Sequence, residues 1–143
     1  MLLAKKDNSI IFRGRMSREA TIEKMRESDV FLMVSSPETF GLVYIEAMAQ
    51  GCITIGSRNE GIDGVIRDGE NGFLVKPRNI EELKECLEKI VFMSKEQKQE
   101  IVHSAYRDAS KMTDENMANK YLQLNIVYTE NLLRLRCRNE ARK

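Results

Sequence analysis

Long apolar runs are missing from these 143 residues; the longest, VFLMV at 30–34, is far too short to span a bilayer. Cysteine is scarce. Cys52, Cys86 and Cys137 are odd in number and widely separated. Neither a disulfide framework nor a metal-ligand spacing follows from them, and a reducing, cytoplasmic setting is the expectation. An excess of one charge is missing too. The chain has 23 basic and 22 acidic side chains for a net charge of +1, so it carries no general nucleic-acid footprint. The opening MLLAKKDNS lacks the basic, apolar, small-residue order of a secretory signal and reads as the stub of a longer helix. What is present suits one domain with a core: 42% hydrophobic and 31% charged residues. The single histidine, His103, falls in a late helix and reads as surface or core filler. The methionines, among them Met25, Met33 and Met48, read as gap-fillers. One local excess stands out: RLRCRNEARK, at 134–143, holds five basic residues against one acid. It reads first as a solvated helix end, with cations at the negative terminus of the helix. A peripheral contact with an anionic membrane is the sharper alternative.

The order of elements follows from periodicity and breakers. IIF at 10–12 is a short apolar strand ended by Gly14. Ser17 caps a helix from Arg18 with Ile22 and Met25 on one face. Val30 to Val34 shows no polar alternation and reads as a strand buried on both faces. Ser35, Ser36 and Pro37 break it, and a helix runs from about Leu42 to Gln50, stopped by Gly51. CITIG at 52–56 is a third strand. A glycine-punctuated loop with a short helix follows, then FLV at 73–75, a fourth strand ended by Pro77. Asn79 with Glu82, and Ser94 with Gln97, start two further helices by cap chemistry. Their apolar faces are Ile80, Leu83, Leu87 and Ile90, then Ile101, Ala105 and Ala109. A long last helix begins at Thr113 or Asp114 and occupies 113–143. Apolar strands alternating with helices predict an α/β fold, a Rossmann-like parallel sheet flanked by helices. Four short strands make a small sheet, which reads as the later part of a larger domain.

The stretch SSPETFGLVYIEAMAQG, 35–51, carries the chemistry. Its loop leaves the C-terminal end of a strand, where ligands of open α/β sheets bind. The helix that starts at Gly41 or Leu42 offers amides without intrahelical partners and the positive end of its dipole, a phosphate-binding geometry. Gly41 would let a phosphate oxygen approach the backbone. Glu46 lies just over one turn in, and helical side chains lean toward the N-terminus, so its carboxylate reaches back toward the same crevice. A carboxylate has two acceptor oxygens and a ribose diol two donors. Glu38, before the helix, can accept from further hydroxyls. Phosphate, diol and sugar hydroxyls together describe a nucleotide sugar. The same two glutamates would also arise as a dipole-favouring acid before a helix and an ordinary solvent-facing helix residue. Arg58 and Arg67 flank the later loop and read as solvated charge rather than phosphate ligands.

Glu38 and Glu46, separated by seven residues within FGLV and EAMAQG, resemble the E-x7-E motif of retaining glycosyltransferases of the GT-B fold, family GT4 (glycosyl transferases group 1). The segments IIFRGRMSREATIEKMRESDVFLMVSS and GIDGVIRDGENGFLVKPRNIEELKECLEKI extend the likeness over roughly residues 8–130. The resemblance implies two Rossmann-like domains with the active site between them, this chain being the C-terminal, donor-binding one. It implies that Glu38 contacts the donor sugar at the reacting carbon and that Glu46 holds the ribose. Phe40, Gly41 and Leu42 would meet phosphate and sugar through their amides, and Gly14, Arg15 and Met16 would lie by the nucleobase.

The implied substrate is a UDP- or GDP-linked sugar, with no cofactor and no metal. No D-x-D occurs, which fits the metal-independent class. The product would be a polysaccharide or cell-envelope glycan. The last helix would cross back to the N-terminal acceptor domain, which this sequence does not contain. The chain on its own is therefore expected to lack turnover. Two departures stand out. The family's glycine-rich turn and basic pair that grips the diphosphate have no counterpart here. Asp63 and Gly64 replace the usual proline and glutamate, which removes support for an acid role in the 57–64 loop. A non-catalytic nucleotide-sugar-binding domain, or a sugar-nucleotide epimerase of the same architecture, are the alternative readings.

Overall fold

The computed structural model describes residues 9–39 and 41–112. Seven elements follow in order: α1 (Arg18–Arg26), β1 (Val30–Leu32), α2 (Leu42–Ala49), β2 (Ile53–Ser57), β3 (Phe73–Val75), α3 (Ile80–Phe92) and α4 (Lys95–Ala109). The strands form one parallel sheet in the order β1-β2-β3, with Val30 beside Ile53 and Ile55 beside Phe73. Parallel pairing puts all three C-terminal strand ends on one edge. The loops after β1, β2 and β3 therefore gather there.

The caps are those the sequence predicts. Ser17 accepts from the Ala20 amide, Asn79 from the Glu82 amide, and Ser94 and Gln97 close a full capping box. Strand alternation sorts the core onto two faces. On one, Ile53, Ile55, Phe73 and Val75 meet Ile90 of α3 and Ile101 of α4. On the other, Leu74 meets Tyr44 and Met48 of α2, Ala105 and Ala109 of α4, and Ile62 and Ile66 from the loop after β2. Helices thus cover both faces, and buried parallel strands require that cover. α1 joins through Met25, which packs with Ala47 and Cys52. Met25 and Met48 are buried core residues and His103 is exposed, as expected. The two thiols among the described residues, Cys52 and Cys86, are inert in character. Burial raises the Cys52 pKa, and its Sγ donates to the Met25 carbonyl at 3.0 Å. Burial pushes Cys86 to about 11.

The structure departs from the sequence reading at four points. IIF at 10–12 is not a strand; Ile10, Ile11 and Phe12 are exposed. A strand exists only where its amides and carbonyls find a ladder partner, and no described residue pairs with this run, so the sheet has three strands here rather than four. Val30 to Val34 is shorter and less buried than its apolar run suggests. β1 stops at Leu32, which is 41% exposed, because only β2 flanks it among the described residues. Where the sequence predicts a short helix within 57–72, Ser57 closes β2 and residues 58–72 form turns and isolated bridges. Two single helix-like turns, Ile66 N–H to the Ile62 carbonyl and Asn71 N–H to the Arg67 carbonyl, do not extend, because each contains a glycine at positive φ, Gly64 and Gly69. Finally, Arg58 and Arg67 are paired rather than freely solvated. Arg58 donates to the Leu74 carbonyl at 2.8 Å and pairs with Glu82 at 3.0 Å. Arg67 bridges Glu70 and Asp108. Asp108 also accepts from the fully buried Asn71, which in turn donates to the Val65 carbonyl and accepts from the Arg67 amide. The helix expected from 113 and the basic tail lie outside the described residues. No described helix is long and apolar enough to cross a membrane.

Gly56 shows how tightly the site-side face is packed. A Cβ there would stand 2.7 Å from Ile62 Cγ2, 3.2 Å from Ile66 Cδ1 and 3.3 Å from Tyr44 Cε1. Gly56→Ala should lower the unfolding free energy by about 1–3 kcal/mol through overpacking. Urea denaturation measures it, and a variant as stable as the parent would contradict this packing.

Candidate functional site

The site begins with the β1–α2 connection. The strand ends at Leu32, Met33 still donates its amide to the Ile55 carbonyl at 3.2 Å, and the chain turns through a cis Ser36–Pro37 bond to Gly41. Gly41 is the N-cap of α2 with φ +68°, a left-handed conformation that glycine alone takes freely, and no side chain caps the helix start. Its missing Cβ matters as well: one built there would fall 2.4 Å from the Tyr44 ring. The helix start expected at Gly41 or Leu42 is therefore confirmed, and no side chain caps its first amides.

Glu38 stands against this helix start. Its carboxyl carbon would be 3.5 Å from a Cβ on Gly41, and Ser35 Oγ donates to its Oε2 at 3.1 Å. Tyr44 lies beneath, fully buried, its hydroxyl donating to the Met33 carbonyl at 2.5 Å. Burial raises the phenol's pKa, and the charges of Glu38 and Glu60 act in the same direction.

Glu46 is not turned out into water. Its side chain is 29% exposed, and Arg18, the first residue of α1, donates to Oε1 from Nε at 3.0 Å and from Nη2 at 2.7 Å. This partner, 28 positions earlier, was missed by the sequence reading. It brings Glu46 to the start of α1, two residues after the Gly14–Arg15–Met16 run. Gly14 and Arg15 are exposed and Met16 is half-buried. Leu42 is exposed at the first turn of α2. Phe40 lies outside the described residues. Glu38, Gly41 and Leu42 are thus brought together at one helix start. Glu46 sits farther along the same helix, beside the segment that follows Gly14, Arg15 and Met16.

A second missed residue is Glu60, in the loop after β2. Its Oε1 accepts from Ser36 Oγ at 2.7 Å and its Oε2 accepts from the Glu38 amide at 2.7 Å. The Gly61 amide donates back to the Glu38 carbonyl at 3.0 Å, and Ser57 Oγ donates to the Ser35 carbonyl at 2.9 Å. The Ser36 hydroxyl, followed by the Glu38 amide, holds the Glu60 carboxyl below its usual range. No local pattern signals a contact spanning 22 positions; the only hint is an acid placed in a loop at the same strand-end edge. Among the described residues no group of three or more His, Cys, Asp and Glu side chains could hold a metal ion.

A model of the family described as glycosyl transferases group 1 matches residues 2–108. The sulfoquinovosyl transferase SQD2 of Arabidopsis thaliana is 31% identical over 108 residues, covering 73% of this chain and 21% of the relative. This chain therefore spans about a fifth of the length of that curated relative. The Anabaena protein HepE, solved with UDP and glucose, superposes with a TM-score of 0.71 at 25% identity, over 85% of this chain and 33% of that one. The C-terminal domain of the group 1 family protein LpcC from Francisella tularensis superposes with a TM-score of 0.67 at 28% identity, over 78% of this chain and 57% of that one.

The depressed Glu60 pKa gives a pH dependence with a definite sign. The bonds to Ser36 and the Glu38 amide need the carboxylate. They are fully present above the ordinary glutamate value of about 4.3 and are lost as pH falls through the lower folded value. The Glu38 amide resonance in a ¹H–¹⁵N NMR titration should move with a midpoint below the ordinary value; a midpoint at or above it would contradict the bonding seen here.

Proposed function

This chain belongs to the glycosyl transferases group 1 family, and we propose that it is the donor-binding portion of an enzyme that transfers a sugar, with retention, from a nucleoside-diphosphate sugar. One observation carries the reading. A parallel-sheet strand end, a left-handed glycine and an uncapped helix start stand together with Glu38 against that start and Glu46 on the same helix. HepE, of the same fold, binds UDP and glucose in its own crystal.

In this reading the diphosphate rests on the first amides of α2, around Phe40, Gly41 and Leu42, where the helix dipole favours negative charge. As the sugar–phosphate bond breaks, negative charge grows on the departing phosphate and positive charge on the sugar carbon. The α2 start opposes the first and the Glu38 carboxylate the second. Both are already in place, so catalysis rests on positioning and preorganised electrostatics. Glu46 takes the ribose. Both Arg18 bonds end on Oε1, which leaves Oε2 to accept from a hydroxyl while the guanidinium fixes the carboxylate's direction. Gly14, Arg15 and Met16 lie by the nucleobase. The acceptor would be bound by an N-terminal domain, and the product would be a polysaccharide or cell-envelope glycan.

Calorimetric titration of the chain with UDP and UDP-glucose, and in parallel with GDP and GDP-mannose, tests the reading. Glu46→Ala should weaken nucleotide binding by about 1.5–3 kcal/mol for a lost charge-assisted hydrogen bond. Unchanged affinity would remove the ribose assignment, and no binding of any probe by the parent chain would remove the donor reading.

A further inference from the structure

Glu60 makes no contact that the donor-binding reading requires. Its carboxylate nonetheless has both oxygens committed to a single target, the loop that carries Glu38. One oxygen takes the Ser36 hydroxyl and the other the Glu38 amide, each at 2.7 Å. The next residue, Gly61, returns a bond to the Glu38 carbonyl at 3.0 Å, so Glu38 has both its backbone polar groups tied to residues 60 and 61. Glu60 is itself placed by the structure below it: Ile62, two residues on, is fully buried against the site-side face of the sheet. The Glu38 side chain is left to Ser35 and to the helix start. Charge-assisted bonds of this kind are shorter and stronger than neutral ones. An amide and a hydroxyl donate to a carboxylate from fixed directions, so they set orientation as well as distance.

We propose that Glu60 is the positioning residue for Glu38. It straps the β1–α2 loop so that the Glu38 carboxylate stays beside the start of α2, where the donor sugar would lie. Glu60 does not touch the donor. It acts on the sugar end of the site and not on the nucleotide end, which the Glu46–Arg18 pair would serve. Other segments of this sheet edge carry their own charged groups: Arg58 is held by Glu82 and Asp68, and Asp63 accepts from the Asn59 amide at 2.6 Å. None of these reaches Ser36 or Glu38. The inference rests on the donor-binding reading, and its test separates the two.

Titrations of the 143-residue chain with UDP and with UDP-glucose give the contribution of the sugar as the ratio of the two affinities. Glu60→Ala should reduce UDP-glucose affinity by about tenfold, the effect of losing a charge-assisted hydrogen bond, and leave UDP affinity unchanged. Glu60→Gln keeps a carbonyl oxygen for the Glu38 amide and should restore most of the ratio. If Glu60→Ala lowers both affinities alike, Glu60 is merely structural and the proposal fails. If it alters neither, the strap does not matter and the proposal fails. Should Glu60→Ala not fold, Ser36→Ala, which removes one of the two donors, carries the test, and an unchanged ratio overturns the proposal. A parent chain that binds none of UDP, UDP-glucose, GDP and GDP-mannose overturns the donor-binding reading before any variant is compared; if only the guanine pair binds, the same ratio is read with GDP and GDP-mannose.

Discussion

The arrangement at the strand ends depends on one buried ring. Tyr44 projects from the first turn of α2 into the space between the helix and the sheet, where it is fully buried. Its hydroxyl donates to the Met33 carbonyl just past β1. Its ring meets Phe31 edge-on, centroids 5.8 Å apart and planes at 88°. The ring lies against Gly56 of β2 and directly beneath Gly41, positions where a Cβ would collide with it or press on it. One side chain therefore fixes the start of α2 relative to β1 and β2 together. Loss of that part-buried hydrogen bond would cost about 0.5–1.5 kcal/mol, so the wedge is specified by a polar bond as well as by shape. The direction of the helix start, and with it the position of Glu38, follows from this contact.

The two glutamates of the motif are held by different means. Glu46 meets a guanidinium from another helix, a contact between full charges that is partly open to solvent. Such pairs add little to stability, but two bonds to one oxygen fix where the other oxygen points. Glu38 has no cationic partner among the described residues. Its side chain touches a serine hydroxyl, and its backbone is tied by Glu60 and Gly61. A carboxylate without a cation keeps its full field. In the proposed chemistry that suits a group facing developing positive charge on a sugar carbon, whereas a fixed, partly neutralised carboxylate suits one that only binds hydroxyls.

Local chemistry made much of this visible in the sequence. Ser17, Asn79 and Ser94 cap the helices they precede, because an N-cap acts within three residues. The α2 start was visible from Gly41 and from the break at Ser35–Pro37. What escaped depends on distance along the chain. Arg18 and Glu46 are 28 positions apart, and Glu60 and Glu38 are 22 apart. No periodicity encodes either pairing. The IIF run misled for the opposite reason: its apolar character is real, yet strand formation is decided by a pairing edge, and no described residue supplies one. Asn71 carries no local sequence signal, yet it is fully buried and joins the loop after β2 to Asp108 of α4.

The arginines of the loop after β2 bear on how phosphate would be held. Arg58 is tied to the Leu74 carbonyl, Glu82 and Asp68, and Arg67 to Glu70 and Asp108. Each closes the loop onto α3 or α4, and drawing either guanidinium toward a diphosphate would break those contacts. The loop's acids are committed in the same manner, Glu60 to the β1–α2 loop and Asp63 to the Asn59 amide. Within the proposed reading, phosphate charge then falls to the peptide dipoles at the start of α2 rather than to side-chain cations of this loop. That start is oriented by Tyr44 and bordered by Glu38. The glycine that exposes its amides is thus the same glycine whose missing side chain admits the Tyr44 ring, and one residue serves both the packing and the proposed chemistry.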